Sequence, residues 1–337
     1  MEHLKILIVK IGAVGDTVMA LSMLEAIDRK WPGAHVTWVC GEAVAPLVKA
    51  PGRVNEVVVL NDRKLLRGGV GGALSVLVPL WFKLLGRKFD LVLSGHSDPR
   101  YGLLSATVMA YERRSFGKGR GGPVPGRYHG DEYVRLVTDE DGPEAFKARI
   151  PSFKFEPAPA LQNVLSAGGN FVALAPGGAK NILRDDALRR WPLENYVRLA
   201  ELLVKNGNKV LLTGGPGDEW VREAFQKTPF IDLIGKTSLM DLVALYGKCA
   251  LVVTHDSGPL HLAMLAGAPV LALFGPTDPV EKVPANGKNL VLWGGEELAC
   301  RPCYDGKNYA ACSNNLCLKS VTVEKVHQEA LRLLKKT

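Results

Sequence analysis

The fold class this sequence predicts is α/β, as two doubly wound parallel sheets in tandem, and three observations predict it. Short apolar runs recur along the chain with helix-length segments between them, and strands that alternate with helices pair in parallel. The 36 glycines among 337 residues exceed the roughly 7 % average and suit many tight strand-to-helix turns. One core would be large at this length, so two domains are expected.

The elements follow in order. Lys5–Ile11 reads as a strand, and Gly12-Ala13-Val14-Gly15-Asp16-Thr17 turns it into a helix running to about Lys30. Met19, Leu21, Leu24 and Ile27 give that helix much of its apolar face. Val36–Cys40, Val57–Leu60 and Leu91–Ser94 are further short apolar strands. Ligands in such sheets bind outside the carboxyl ends of the strands, which is where Asp16 falls. Gly12-x-x-Gly15 is neither the dinucleotide fingerprint nor a phosphate-binding Walker loop.

Pro151, Pro157, Pro159 and Gly168-Gly169 place a linker at about 155–169. The expected domains are 1–160 and 161–337. Phe171–Ala175, Val210–Thr213, Leu251–Val253 and Val270–Phe274 repeat the strand pattern in the second half. Its first strand ends in Pro176-Gly177-Gly178-Ala179, a turn able to offer backbone N–H groups to a diphosphate. Arg184, Arg189 and Arg190 come next, then Trp191-Pro192 opens a helix. Asn181–Leu188 between them reads as a loop of mixed charge, and Thr213-Gly214-Gly215-Pro216 closes another strand. Thr322–Lys336 is amphipathic, with Val326, Ala330, Leu333 and Leu334 on one side.

The most informative stretch is Thr254-His255-Asp256-Ser257-Gly258-Pro259-Leu260-His261. Asp256 and Ser257 are N-cap residue types, and proline is tolerated in a helix's first turn. A strand therefore ends, the chain turns at Gly258, and a helix opens with its N–H groups outward. Such a terminus binds anions, and His261 lies within reach of the same ligand.

With Phe274-Gly275-Pro276-Thr277-Asp278-Pro279 behind it, this block resembles the nucleotide-binding segment of glycosyltransferase family 9, the ADP-heptose:lipopolysaccharide heptosyltransferases. The family usually has Asn in place of His255. Lys10–Thr17 is similar to the family's N-terminal motif, which commonly begins with Arg rather than Lys10, and Arg189 stands where a lysine is usual. The resemblance implies a GT-B fold, two Rossmann-like domains facing an interdomain cleft. It implies inverting, metal-independent transfer of a heptosyl group from ADP-heptose to the inner core of lipopolysaccharide or lipooligosaccharide. Asp16 is then the general base, and Lys10, Gly15 and Arg120 meet the acceptor. Gly177, Gly178, Arg189, Thr213, Gly214, Asp256, Ser257, Gly258, Pro259 and His261 bind the sugar nucleotide. A UDP- or GDP-hexose donor on the same fold is the alternative.

The net charge of +8 is uneven: 62–127 holds twelve Lys/Arg against four acids. Arg113–Arg127 reads as a basic loop that would face an acidic acceptor. Gly68–Leu85 is apolar and bracketed by Arg63, Lys64, Arg67, Lys83, Arg87 and Lys88, as in a core helix or a patch resting on anionic lipid. With no secretory signal and no spanning apolar stretch, the protein reads as cytoplasmic, peripheral on the inner face of the membrane. A nucleic-acid-binding protein is the rival from another class; aromatic content of 7 % and the lack of a recognised motif disfavour it. Cys300-x2-Cys303-x8-Cys312-x4-Cys317 has spacing that can hold a structural Zn²⁺ or an iron–sulfur cluster, with no cofactor required for transfer.

Overall fold

Strand order reverses once in each of two parallel sheets, and those reversals position everything that follows. The structure is a computed structural model and describes residues 4–98, 100–117, 122–140, 147–149, 153, 156–166, 168–285, 287–306 and 308–335. The chain divides into two units, Met1–Pro151 with Asn181–Leu183, and Ser152–Lys180 with Arg184–Thr337.

The first unit contains β1 (Lys5–Val9), β2 (His35–Gly41), β3 (Glu56–Leu60), β4 (Lys88–Ser94) and β5 (Met109–Ser115). Their order is β3-β2-β1-β4-β5. The second contains β6 (Phe171–Ala175), β7 (Lys209–Leu212), β8 (Ile231–Asp232), β9 (Leu251–His255), β10 (Val270–Phe274) and β11 (Asn289–Trp293). Their order is β11-β10-β9-β6-β7-β8. All these pairings are parallel. The reversals fall between β1 and β4 and between β6 and β9, the switch points where doubly wound sheets take ligands.

Central strands are the ones the sequence makes obvious. Every residue of β6, β9 and β10 is buried; β6 and β10 are continuous apolar runs, as strands covered on both faces tend to be, and β9 is one up to Thr254 and His255 at its carboxyl end. The three strands absent from the sequence reading, β5, β8 and β11, lie at sheet edges. β5 corrects one expectation: Arg113–Ser115 is strand, not basic loop. Its charges are also engaged. Arg113 donates to Ser105 Oγ at 3.0 Å and to the Val108 carbonyl at 2.8 Å. Buried Arg114 donates to Glu112 at 2.6 Å and to the Val137 carbonyl. The first helical segment is likewise two helices, Val14–Ala20 and Ser22–Lys30, separated at Leu21.

The second core joins Leu174, Val253 and Leu273 from the sheet to Trp191, Tyr196, Leu199 and Leu203. Trp191 Nε1 donates to the Val321 carbonyl at 2.8 Å, which satisfies the indole where it is buried. The amphipathic C-terminal helix Val323–Leu334 completes this core through Val326 and Ala330.

Candidate functional site

At the switch point of the second unit, β9 hands over to Asp256 and Ser257, and the helix Gly258–Leu265 opens. Ser257 takes the N-cap position, but its side chain does not cap. Its hydroxyl turns back to the His255 carbonyl at 3.2 Å. The helix start therefore keeps the amide-lined end expected of an anion site. Asp256 is 3 % exposed, and Arg189 Nη1 lies 3.4 Å from its carboxylate. Burial alone would raise the Asp256 carboxyl, but Arg189, Lys282 and His261 outweigh it and hold it below the usual carboxylate range. His261, 4 % exposed, thus belongs to the same cluster. Pro259 sits in the first turn, where its missing N–H costs no hydrogen bond.

Across the switch point, the Pro176–Ala179 turn is tied down from both sides. Gly178 N–H donates to Asp218 Oδ1 at 2.8 Å, and its carbonyl accepts from Arg190 Nη2 at 2.8 Å. The Gly178 amide is thus engaged by a carboxylate of the protein itself. The same carboxylate accepts from Gly215 N–H at 2.8 Å, so one Asp fixes both turns. Glycine is required here: Gly178 has φ +76°, and a Cβ on Gly177 or Gly214 would run into Asp218. Thr213 follows β7 directly. It is fully buried, and its hydroxyl meets the Leu174 carbonyl at 3.2 Å and Tyr246 Oη at 2.9 Å. Its side chain fixes the chain at the end of β7.

Arg189 does not stand alone. Its Nε donates to Tyr309 Oη at 2.5 Å, and Arg184 Nη2 donates to Tyr304 Oη at 2.9 Å. The two rings lie 4.7 Å apart, and each guanidinium lies over both of them, at 5.2–5.9 Å. Asp186 joins them, 2.5 Å from Arg184 and 3.2 Å from Arg189. Burial raises the Tyr309 hydroxyl to about 12, so it remains a donor-acceptor and not a phenolate. Sequence reading placed the arginines here but gave the tyrosines no role. Their signal was the short Tyr304–Tyr309 spacing, which closes an antiparallel bridge.

Those tyrosines ride on the cysteine-rich tail. All six cysteines are free. Burial raises the Cys303 and Cys317 thiols, and neighbouring cysteines add to the effect. Yet Cys300, Cys303, Cys312 and Cys317 do not assemble into a ligand set. Among the described residues, no group of three or more His, Cys, Asp or Glu side chains is placed to hold a metal ion. The sulfurs serve the loop instead: Cys312 Sγ accepts from Asn315 N–H at 3.3 Å, and Cys317 Sγ donates to Asn315 Oδ1 at 3.5 Å.

In the first unit, the turn after β1 carries Lys10 and Asp16. Lys10 is 1 % exposed, and its Nζ meets Asp16 Oδ2 at 3.1 Å; the Asp16 side chain is 41 % exposed. Burial alone would lower the Lys10 ammonium, but Asp16, with Tyr133 and Tyr101 nearby, reverses this and holds it above its ordinary value. Lys10 thus holds the Asp16 carboxylate from beneath. Gly15 lies half-buried in the first helix beside Asp16. Arg120 lies outside the described residues. One residue was missed: His96, just past the end of β4, whose imidazole is lowered by burial and by Lys10, with Asp16 opposing. Its Nδ1 accepts from Asp98 N–H at 2.9 Å, and its ring stacks on Tyr101 at 4.6 Å.

Comparison with known proteins places this architecture. Residues 154–312 match the model of glycosyltransferase family 9 (heptosyltransferase). The lipopolysaccharide core heptosyltransferase OpsX of Haemophilus influenzae is 28 % identical over 87 % of this chain and 85 % of its own. A family 9 glycosyltransferase from Veillonella parvula superposes with a TM-score of 0.78 at 22 % identity, covering 100 % of this chain and 98 % of that one. The E. coli ADP-heptose LPS heptosyltransferase II gives 0.72 at 20 % identity, covering 99 % of each. The two doubly wound units are thus those of the GT-B class. Residues 154–312 thus carry the family 9 (heptosyltransferase) match, the heptosyltransferase relatives span both units, and the chain is a glycosyl-transferring enzyme.

Proposed function

We propose that this enzyme transfers a heptosyl group from ADP-heptose to an inner-core sugar of lipopolysaccharide or lipooligosaccharide, with inversion and without a metal ion. The observation that carries the reading is the Lys10–Asp16 pair, a carboxylate open to solvent and held by a buried cation. Asp16 takes the proton of the acceptor hydroxyl as its oxygen attacks the anomeric carbon. The bond from that carbon to the diphosphate breaks on the opposite face, and ADP departs. Arg189, with the helix opening at Ser257–Gly258, meets the charge that develops on the diphosphate. Those cations and amides supply what a divalent metal supplies elsewhere. Gly177, Gly214, Asp256, Pro259 and His261 shape and orient this donor site, and Gly15 lies on the acceptor side.

The names of the relatives support both substrates, since OpsX acts on the lipopolysaccharide core and the E. coli enzyme is named for ADP-heptose. A lipid-linked acceptor puts the enzyme at the inner face of the cytoplasmic membrane. The test is nucleotide release from ADP-heptose, UDP-hexose and GDP-hexose, each with a heptose-free core acceptor. ADP released in step with product of one added heptose is expected. Turnover confined to a UDP- or GDP-sugar would overturn the donor assignment.

A further inference from the structure

The helix Gly69–Leu84 has one face in the first core, through Leu77, Leu80 and Leu84. The flank beside that face is the anomaly. Val70 is 80 % exposed and Phe82 is 75 % exposed, with Leu74 and Val78 between them at 46 % and 40 %. These positions recur every four residues, which on a helix makes one stripe. Gly71, Ser75 and Pro79 are exposed beside them, so the stripe is uncharged until Lys83. Leu85 continues it past the helix end at 64 % exposure.

A helix that faces water is built differently in this same protein. On Leu193–Lys205 the exposed positions are Glu194, Arg198, Glu201 and Lys205. Gly71 and Pro79 are also poor helix formers, so the Gly69–Leu84 helix is retained by its core face and not by propensity. An exposed apolar stripe of this length marks an interaction surface.

The surrounding charge says what covers it. Residues 63–89 contain Arg63, Lys64, Arg67, Lys83, Arg87 and Lys88 and no acid. Glu56 takes Arg87 at 2.6 Å and stands 4.0 Å from Lys83. Arg63, Lys64 and Arg67 sit exposed where the stripe begins. An apolar stripe approached by cations matches acyl chains beneath anionic headgroups, the arrangement of helices that lie in a membrane interface. It does not match a channel across the bilayer, since no helix among the described residues is long and apolar enough to span one.

We infer that Gly69–Leu84 is a membrane-seating helix, lying in the interface of an anionic bilayer with Val70, Leu74, Val78 and Phe82 among the acyl chains and Arg63, Lys64 and Arg67 on headgroup phosphates. Only the identity of the membrane rests on the proposed acceptor. The seating itself is independent of which sugar is transferred.

The test is flotation of the full chain with phosphatidylglycerol/phosphatidylcholine vesicles and with phosphatidylcholine alone. The anionic vesicles should bind it, the neutral ones should bind it far less, and salt should weaken the binding. Val78→Asp with Phe82→Asp should lower binding at least about tenfold. Phe82→Leu should retain it, and loss of each of Arg63, Lys64 and Arg67 should lower it roughly fivefold. These side chains are exposed, so the variants should keep the parent's Tm and its transfer rate on a delipidated, soluble acceptor. That rate separates failure of seating from failure of the proposed reaction. Equal binding to neutral vesicles, or binding untouched by the aspartates, would overturn the inference. So would a concentration-dependent dimer, formed without lipid and broken by the same aspartates, which would make the stripe a self-interface.

Discussion

An ion pair stands at the carboxyl end of the sheet in each unit, beside the point where strand order reverses, and the two pairs are built inside out. In the first, the cation is hidden and the acid shown: Lys10 is 1 % exposed and Asp16 41 %. In the second, the acid is hidden and the cation is nearer the surface: the Asp256 side chain is 4 % exposed and that of Arg189 17 %. One fold plan thus offers a carboxylate on one unit and a guanidinium on the other. A solvated carboxylate suits proton abstraction, whereas a planar cation fixed by a buried acid suits a diphosphate. Which partner is buried tells the two roles apart, and the residue types alone do not.

The largest expected effects come from cancelling each presented group. Asp16→Asn should lower kcat about 10²–10⁴-fold while leaving the Kd for ADP unchanged, because only the acceptor's proton loses its destination. Asn also leaves Lys10 an oxygen to bond, which protects the fold. Arg189→Met should do the converse and weaken ADP by about 2–5 kcal/mol, read by calorimetry, with Arg189→Lys recovering part of it. If Asp16→Asn weakened ADP as much as Arg189→Met does, the division of labour between the units would be broken.

A smaller effect sharpens the second pair through its neighbour. His255 is fully buried, and Tyr196 Oη meets its Nδ1 at 3.1 Å. Burial, aided by Arg190, lowers its imidazole to about 3, against the usual 6.5. The unfolded chain therefore binds a proton that the folded chain refuses. The contribution of neutral His255 is complete above pH 6.5 and is lost as pH falls from there toward 3. At pH 5 the loss should be about 2 kcal/mol relative to pH 7.5. His255→Asn has no such titration, so its urea midpoint should fall less over the same interval. Parallel pH profiles for the two proteins would mean that other groups govern the acid limb.

The sequence made some of this legible and hid the rest for physical reasons. β6, β9 and β10 were readable because burial on both faces favours apolar runs, interrupted only by Thr254 and His255 at the end of β9. β5 was not, because on an edge strand Glu112, Arg113 and Arg114 look like a loop. The positions of Asp16, Arg189 and Asp256 follow from turn chemistry and strand ends. Their partners do not: Asp218, which ties the turns at Gly178 and Gly215, is forty residues from Gly178 in the chain. Lys10 illustrates the remaining gap. The resemblance implied an acceptor contact for it, and only the structure shows that its buried charge meets Asp16.

The smallest effect tests whether the guanidinium of the second unit is placed or merely present. Arg189 is held by Asp256, Asp186 and Tyr309, and only the last lies on the cysteine-rich tail. Tyr309→Phe keeps the ring under both arginines and removes one hydrogen bond to a charged donor, a change of about 1.5–3 kcal/mol at most. Two carboxylates still hold Arg189, so most of that should be absorbed. The expected result is a rise of roughly threefold to tenfold in KM for the donor, with kcat on a saturating donor nearly unchanged. Tyr309→Ala should add the loss of the stacked face and raise KM further. A merely structural tyrosine would lower Tm and active fraction together and leave KM alone. Coupling should also appear in a double-mutant cycle: in the Arg189→Met background, Tyr309→Phe should have no further effect on KM. If the two changes add instead, Tyr309 acts on the donor by another route, and the tail is part of the site in its own right.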